Sequence, residues 1–141
     1  MWLDVAREYT ERWLHQQHIR DAVGKPGLTN RRFMGPVLAA FVYALPVAFR
    51  HADAPPETVV HIRITGEAGG DWSLVRQKGS GGWTLGAGAP DSPAVRVEID
   101  QSVAWRLFTK GISVQEAEPL VRMEGDHELG KHVLRAVAII A

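Results

Sequence analysis

The stretch VVHIRITG, residues 59–66, changes the period of the chain. Val60, Ile62 and Ile64 alternate with His61, Arg63 and Thr65. That two-residue repeat belongs to a strand with one buried and one wet face. Downstream, GEAGGD (66–71) reads as a turn, and DWSLVRQ (71–77) as a second strand with Trp72 and Leu74 on one face. KGSGG (78–82) turns again, GWTLG (82–86) is a short third strand, and GAPDSP (88–93) breaks the pattern. AVRVEID (94–100) is a fourth strand with Val95, Val97 and Ile99 inward. Close spacing and Gly-rich turns predict an antiparallel meander.

Beyond it the period lengthens. Asp100 reads as the N-cap of a helix, QSVAWRLFTK (101–110), whose Val103, Ala104, Leu107 and Phe108 share a face. Ser113 and Glu116 spell a capping box, and Pro119 closes that turn. PLVRMEG (119–125) is a fifth strand. Gly125-Asp126 opens a last helix predicted over His127–Ile140, with Leu129, Val133, Ala136, Val137 and Ile140 inward. Residues 59–141 therefore read as an α+β domain, a mostly antiparallel five-stranded sheet covered by helices. The sheet and the last helix enclose either a plain core or a ligand cavity.

Upstream, HADAPPET (51–58) has the composition of a linker, and residues 1–50 form an N-terminal helical pair. The first helix runs from Trp2 to about Val23, with Gly24 and Pro26 as its stop. Helical spacing puts Trp2, Val5, Tyr9 and Trp13 on one side, and Asp4, Glu8, Glu11, His15 and His18 on the other. In the second segment Val37, Leu38, Phe41, Val42 and Leu45 recur at helical spacing. Its start is either a cap at Thr29 or Asn30, or Pro36 after Gly35. The apolar run Phe33–Phe49 is shorter than the ~20 residues of a membrane span, and Gly35, Pro36 and Pro46 interrupt it. It reads as a buried or interface helix.

Sixteen basic residues balance sixteen acidic ones, which disfavours a broad nucleic-acid surface and a polybasic membrane anchor. The chain has no cysteine, so disulfides, thiolate metal sites and cysteine nucleophiles are excluded. The first residues, MWLDVAREYTERW, lack an apolar signal core. The expectation is a cytoplasmic chain with neither nucleic acid nor membrane as partner.

One constellation carries chemistry. Glu11, His15 and His18 lie at i, i+4 and i+7, within ~60° of one another on a helix. Carboxylate and imidazole suit zinc or another divalent metal. The plainer reading is a solvated face, and one helix alone does not close a tetrahedral site. Of the other histidines, His61 alternates outward and reads as solvated, His51 lies in the linker, and His127 and His132 do not share a face. No GxSxG, Walker loop, GxGxxG or CxxC occurs. The Gly-rich stretches lie between strands and read as hairpin turns. The five tryptophans read as core and interface anchors.

ERWLHQQHIRDAVGKPG (11–27) resembles the last helix of the DinB-like four-helix bundle in the mycothiol-dependent maleylpyruvate isomerase family. AVRVEIDQSVAWRLFTKG (94–111) and VRMEGDHELGKHVLRAVAII (121–140) resemble that family's C-terminal domain, which is similar in fold to sterol carrier protein type 2. The resemblance implies metal ligation by Glu11 and His15, with a third ligand from an earlier bundle helix. This sequence has no counterpart of that helix. The expectation is that partner helices come from another chain, or that the chain is a fragment or a short paralogue. His18 is this chain's own candidate for the missing ligand, and is no feature of the family.

Two functions follow. In the first, the chain is a non-catalytic C-terminal-type module that acts in homo-oligomerisation, as a dimer, or in binding a small apolar ligand. In the alternative, it is a metal-dependent isomerase or thiol transferase that uses mycothiol, with zinc or another divalent metal on Glu11 and His15.

Overall fold

In a computed structural model, residues 2–79 and 82–136 are described, with the side chains of residues 2 and 3 left aside. Helices α1 (Trp2–Ala22), α2 (Arg31–Phe41) and α3 (Leu45–Ala48) precede strands β1 (Val59–Thr65), β2 (Gly70–Arg76), β3 (Trp83–Ala87) and β4 (Val95–Asp100). Helices α4 (Gln101–Phe108) and α5 (Val114–Ala117), strand β5 (Arg122–Gly125) and helix α6 (His127–Gly130) complete it. The architecture is α+β, with a five-stranded, mostly antiparallel sheet and helices packed on it.

The sheet order is β3-β2-β1-β4-β5. The meander expected across the first four strands stops after three. β4 returns to the middle and pairs with β1 in parallel, Ile62 opposite Val97 and Ile64 opposite Ile99. The physical reason is burial. A central position covers the apolar faces of both strands, whereas a place beyond β3 would leave Val95, Val97 and Ile99 on an edge. All three are buried, as are Val60, Ile62 and Ile64.

One sheet face holds the core. Met34, Val37, Leu38 and Phe41 of α2 and Ala104, Trp105, Leu107 and Phe108 of α4 pack in one cluster with the strand residues. Phe41 meets Phe108 edge-on at 5.9 Å between centroids. The first 50 residues thus share their core with the sheet. Gly130 lets α6 approach β4: a Cβ there would lie 3.0 Å from the Met123 sulfur and 3.1 Å from a Val95 methyl.

Several caps stand where the sequence puts them. Asp100 accepts from the Ser102 N–H, and Ser113 and Glu116 form a reciprocal capping box. The α2 start resolves to Asn30, whose side chain accepts from the Phe33 N–H, so Pro36 lies inside the helix. The 51–58 segment is tied down: Ala52 is buried, and the Glu57 N–H donates to the Arg76 carbonyl at 2.8 Å.

Two expectations are corrected here. Over its described residues, 127–136, the predicted His127–Ile140 helix is one α-turn, α6, followed by a 3-10 turn over Lys131–Arg135 and an extended Ala136. Leu129, Val133 and Ala136 are nevertheless buried, while Val137 and Ile140 lie outside the described residues. The inward face of α1 is also different. Thr10, Trp13 and Gln17 are buried, whereas Val5 is 65% exposed and Tyr9 is exposed. Hydrogen bonding sets the rotation. The Trp13 indole donates to the Leu28 carbonyl at 2.9 Å, and Gln17 Oε1 accepts from the Leu28 N–H at 3.1 Å. Both bonds require those side chains to face the 24–30 loop.

Candidate functional site

The outer side of α2 is lined by two adjoining grooves. The larger, about 570 Å³, runs between α1 and α2, with Val5, Ala6 and Tyr9 on one wall and Arg32, Phe33, Pro36 and Ala39 on the other. The smaller, about 220 Å³, runs from Ala39, Val42 and Tyr43 to Trp72, Leu85, Gly86 and Ala87 at the β2–β3 edge. Ala39 lines both. Small side chains at Ala6, Ala39 and Gly86 leave the space, and the wall is apolar except for Arg32 and two tyrosine hydroxyls. The Tyr9 hydroxyl donates to the Phe33 carbonyl at 3.0 Å and clips α1 to α2 at the groove floor.

A contiguous apolar strip on a small chain marks a binding surface. Sequence reasoning missed this groove. The available signal was that α2 is apolar on its outer side, at Phe33, Pro36 and Ala39, as well as on its core side. A helix apolar all round needs cover on both sides.

The opposite sheet face is polar. Cross-strand register places Ser73, His61, Arg96 and Glu124 in one row and Asp71, Arg63, Glu98 and Arg122 in the next. His61, expected to be solvated, has 0% exposure. Its neighbours cover it. Arg96 Nε donates to His61 Nδ1 at 3.1 Å, and His61 Nε2 lies 2.7 Å from Asp71 Oδ1. Since Nδ1 accepts, Nε2 carries the proton and donates to Asp71. Arg63 Nε donates to the same carboxylate oxygen at 2.9 Å. The Arg63 hydrogen bond, with help from His61, holds the Asp71 carboxyl below its ordinary range against the opposing effect of burial. Ser73, His61 and Asp71 are triad residue types, yet both imidazole nitrogens are already engaged. No nitrogen is left to take a proton from Ser73, so the set is an ion-pair network and not a nucleophile system.

The expected metal ligands lie on the solvent side of α1. Glu11 pairs with Arg7 at 3.4 Å, and Glu11, His15 and His18 are all exposed. The His18 ring packs against Trp105, centroids 6.2 Å apart. Among the described residues no group of three or more His, Asp or Glu is placed to hold a metal ion. The same described residues contain no helix long and apolar enough to cross a membrane. Elsewhere, His132 stacks at 5.5 Å on Phe49 and leaves Nδ1 buried without a hydrogen-bond partner among the described residues. Burial and then Arg135 push its imidazole below the ordinary value.

No protein-family model and no curated protein matches the sequence. Solved structures do. The chain is similar to the crystal structure of sterol carrier protein 2 like 2 from Aedes aegypti, with a TM-score of 0.52 and 15% identity over 71% of this chain and 95% of that one. It is equally similar to the palmitated form of sterol carrier protein 2 like 2 from Aedes aegypti in solution, with a TM-score of 0.52 and 16% identity over 72% and 96%. The fold is therefore of the sterol-carrier-protein type. At such identities the likeness bears on fold alone.

Proposed function

We propose that this chain is a non-catalytic module that holds a small apolar ligand in the groove along α2. The observation that carries the reading is the largely apolar lining of the two grooves that meet at Ala39, with Val5 and Tyr9 in one and Trp72 and Leu85 in the other. A groove of this size suits a small or single-chain molecule. The fold adds support, since a protein of the same architecture has been solved in a palmitated state.

Displacement of a fluorescent apolar probe tests this. The wild type binds the probe, and Ala39→Trp, which fills the junction of the two grooves, abolishes binding while circular dichroism stays unchanged. A wild type that takes up no apolar probe, or an Ala39→Trp variant that binds as well, contradicts the reading.

In the setting of a maleylpyruvate-isomerase-like protein, the exposed side of α1 is where bundle helices of a second copy or another chain would pack. Glu11 and His15 both present exposed side chains there. A divalent metal on them, with or without His18, needs at least one ligand from that other chain. Stoichiometric zinc binding lost in Glu11→Ala and His15→Ala supports this second proposal, and no zinc binding by the oligomer removes it.

A further inference from the structure

We infer that β3 is a dimerisation edge: two copies of this chain join antiparallel through Trp83–Ala87, with the dyad at Leu85, into one continuous sheet. The inference does not rest on the apolar-ligand reading. β3 is an edge of the sheet. The Gln77 N–H donates to the Gly82 carbonyl at 2.8 Å and the Gly88 N–H to the Asp71 carbonyl at 3.0 Å, at the two ends of the β2–β3 ladder. With Trp72 opposite Ala87 and Arg76 opposite Trp83, those bonds set the phase of the pairing. Thr84 and Gly86 turn their N–H and C=O groups toward β2. Trp83, Leu85 and Ala87 turn theirs outward, and no other described residue bonds to them. A row of open donors and acceptors is a template for another strand.

The two edges differ. β5, the far edge, carries Arg122 and Glu124 within four residues, and such charges discourage pairing. β3 has neither a charge nor a proline. Beside it in the helix layer stand Tyr43, which lines the smaller groove with Leu85 and Ala87, and Val47 of α3, which lies against β3. Tyr43 is 50% exposed and Val47 57%. A lone extended peptide covers the edge and leaves this flank in water. A second copy covers both, because a twofold axis normal to the sheet brings the α2–α3 flanks of the two copies together over the junction. Only antiparallel pairing does this, since a parallel pair of the same edges turns one sheet over and puts the helix layers on opposite faces. Centred on Leu85, the pairing sets Trp83 of one copy opposite Ala87 of the other. It makes roughly six backbone hydrogen bonds, two in each bonded pair. The flanking charges agree. Lys78 precedes the strand and Asp91 follows it, so each Lys78 comes beside Asp91 of the other copy. Lys78 has the exposed Glu57 at 3.7 Å, and Asp91 makes no ion pair among the described residues.

Sedimentation velocity and amide exchange over a concentration series test this. The wild type passes from monomer to dimer, and exchange at Trp83, Leu85 and Ala87 slows with it, while Thr84 and Gly86 are protected throughout. Leu85→Pro removes an outward N–H that β2 does not use. It keeps the circular dichroism of the fold and leaves a monomer at every concentration. Lys78→Asp or Asp91→Lys alone raises the dissociation constant about fivefold, and the double exchange restores it. A chain that stays monomeric throughout, or a dimer in which the three outward amides still exchange fast, overturns the inference. Should Leu85→Pro fail to fold, the exchange pattern of the wild type decides alone. Protection of those amides in a monomer, gained only on adding an extended apolar peptide of unrelated sequence, also overturns it and assigns the edge to a peptide.

Discussion

His61 receives a hydrogen bond from Arg96 and gives one to Asp71, with no solvent exposure of its own. Replacing it by alanine takes the acceptor from Arg96 Nε, while Arg96 Nη1 keeps Glu124 at 3.8 Å, and removes one of the two donors to Asp71. The expected loss is about 1–3 kcal/mol, from the unsatisfied groups, measured by urea denaturation at neutral pH. Asp71 adds a pH signature. Its folded-state value is lowered, chiefly by Arg63. Its contribution is therefore whole above about pH 4, the unfolded value, and is lost as pH falls through the lower folded value. Asp71→Asn should flatten the acid limb of the denaturation midpoint against pH. A variant with the wild-type acid limb would show that Asp71 does not drive it. Alternation in 59–66 correctly gave His61 the polar face. Its burial was not legible there, because the covering groups come from β2 and β4, 10 and 35 residues away.

Among the elements, α1 is tied to α4 by one aromatic pair. Trp13 meets Trp105 of α4 edge-on at 5.3 Å, and Arg106 lies over the same Trp105 ring at 4.3 Å while pairing with Asp21 of α1. Trp13→Ala should cost about 3–5 kcal/mol as a large-to-small core change and should raise hydrogen exchange along α1 before the sheet. Uniform loss of protection across α1 and β1 would contradict that local role. Ser113→Ala, which opens the capping box, should cost about 1 kcal/mol in a melting experiment. The caps at Asp100 and Ser113 were readable because their signals lie within three residues. The rotation of α1 was not, because Val5 and Tyr9 mimic a core stripe while the bonds that orient the helix reach to Leu28. The last helix failed for a related reason. Leu129, Val133 and Ala136 keep an apolar pattern that a 3-10 turn buries as well as an α-helix does.

For the whole molecule, period and composition sufficed for a two-layer α+β fold, since the switch from period 3.6 to period 2 is local. The strand order was not local: inserting β4 beside β1 depends on which apolar faces compete for the centre. The groove depends on three separate segments meeting, and no contiguous motif encodes it. A ligand that binds the folded chain alone must stabilise it by mass action, by about 2.7 kcal/mol at a hundred times its dissociation constant. Hexadecanoate should therefore raise the melting temperature of the wild type and leave that of Ala39→Trp unchanged.

Chemical-shift mapping of the labelled chain during titration with hexadecanoate is the most direct measurement. The central claim predicts saturable shifts at Tyr9, Phe33, Ala39 and the Trp72 indole, with the His61 face unmoved. Shifts confined to the His61 face or to the core around Phe41 and Phe108, or none at saturating ligand, would contradict it.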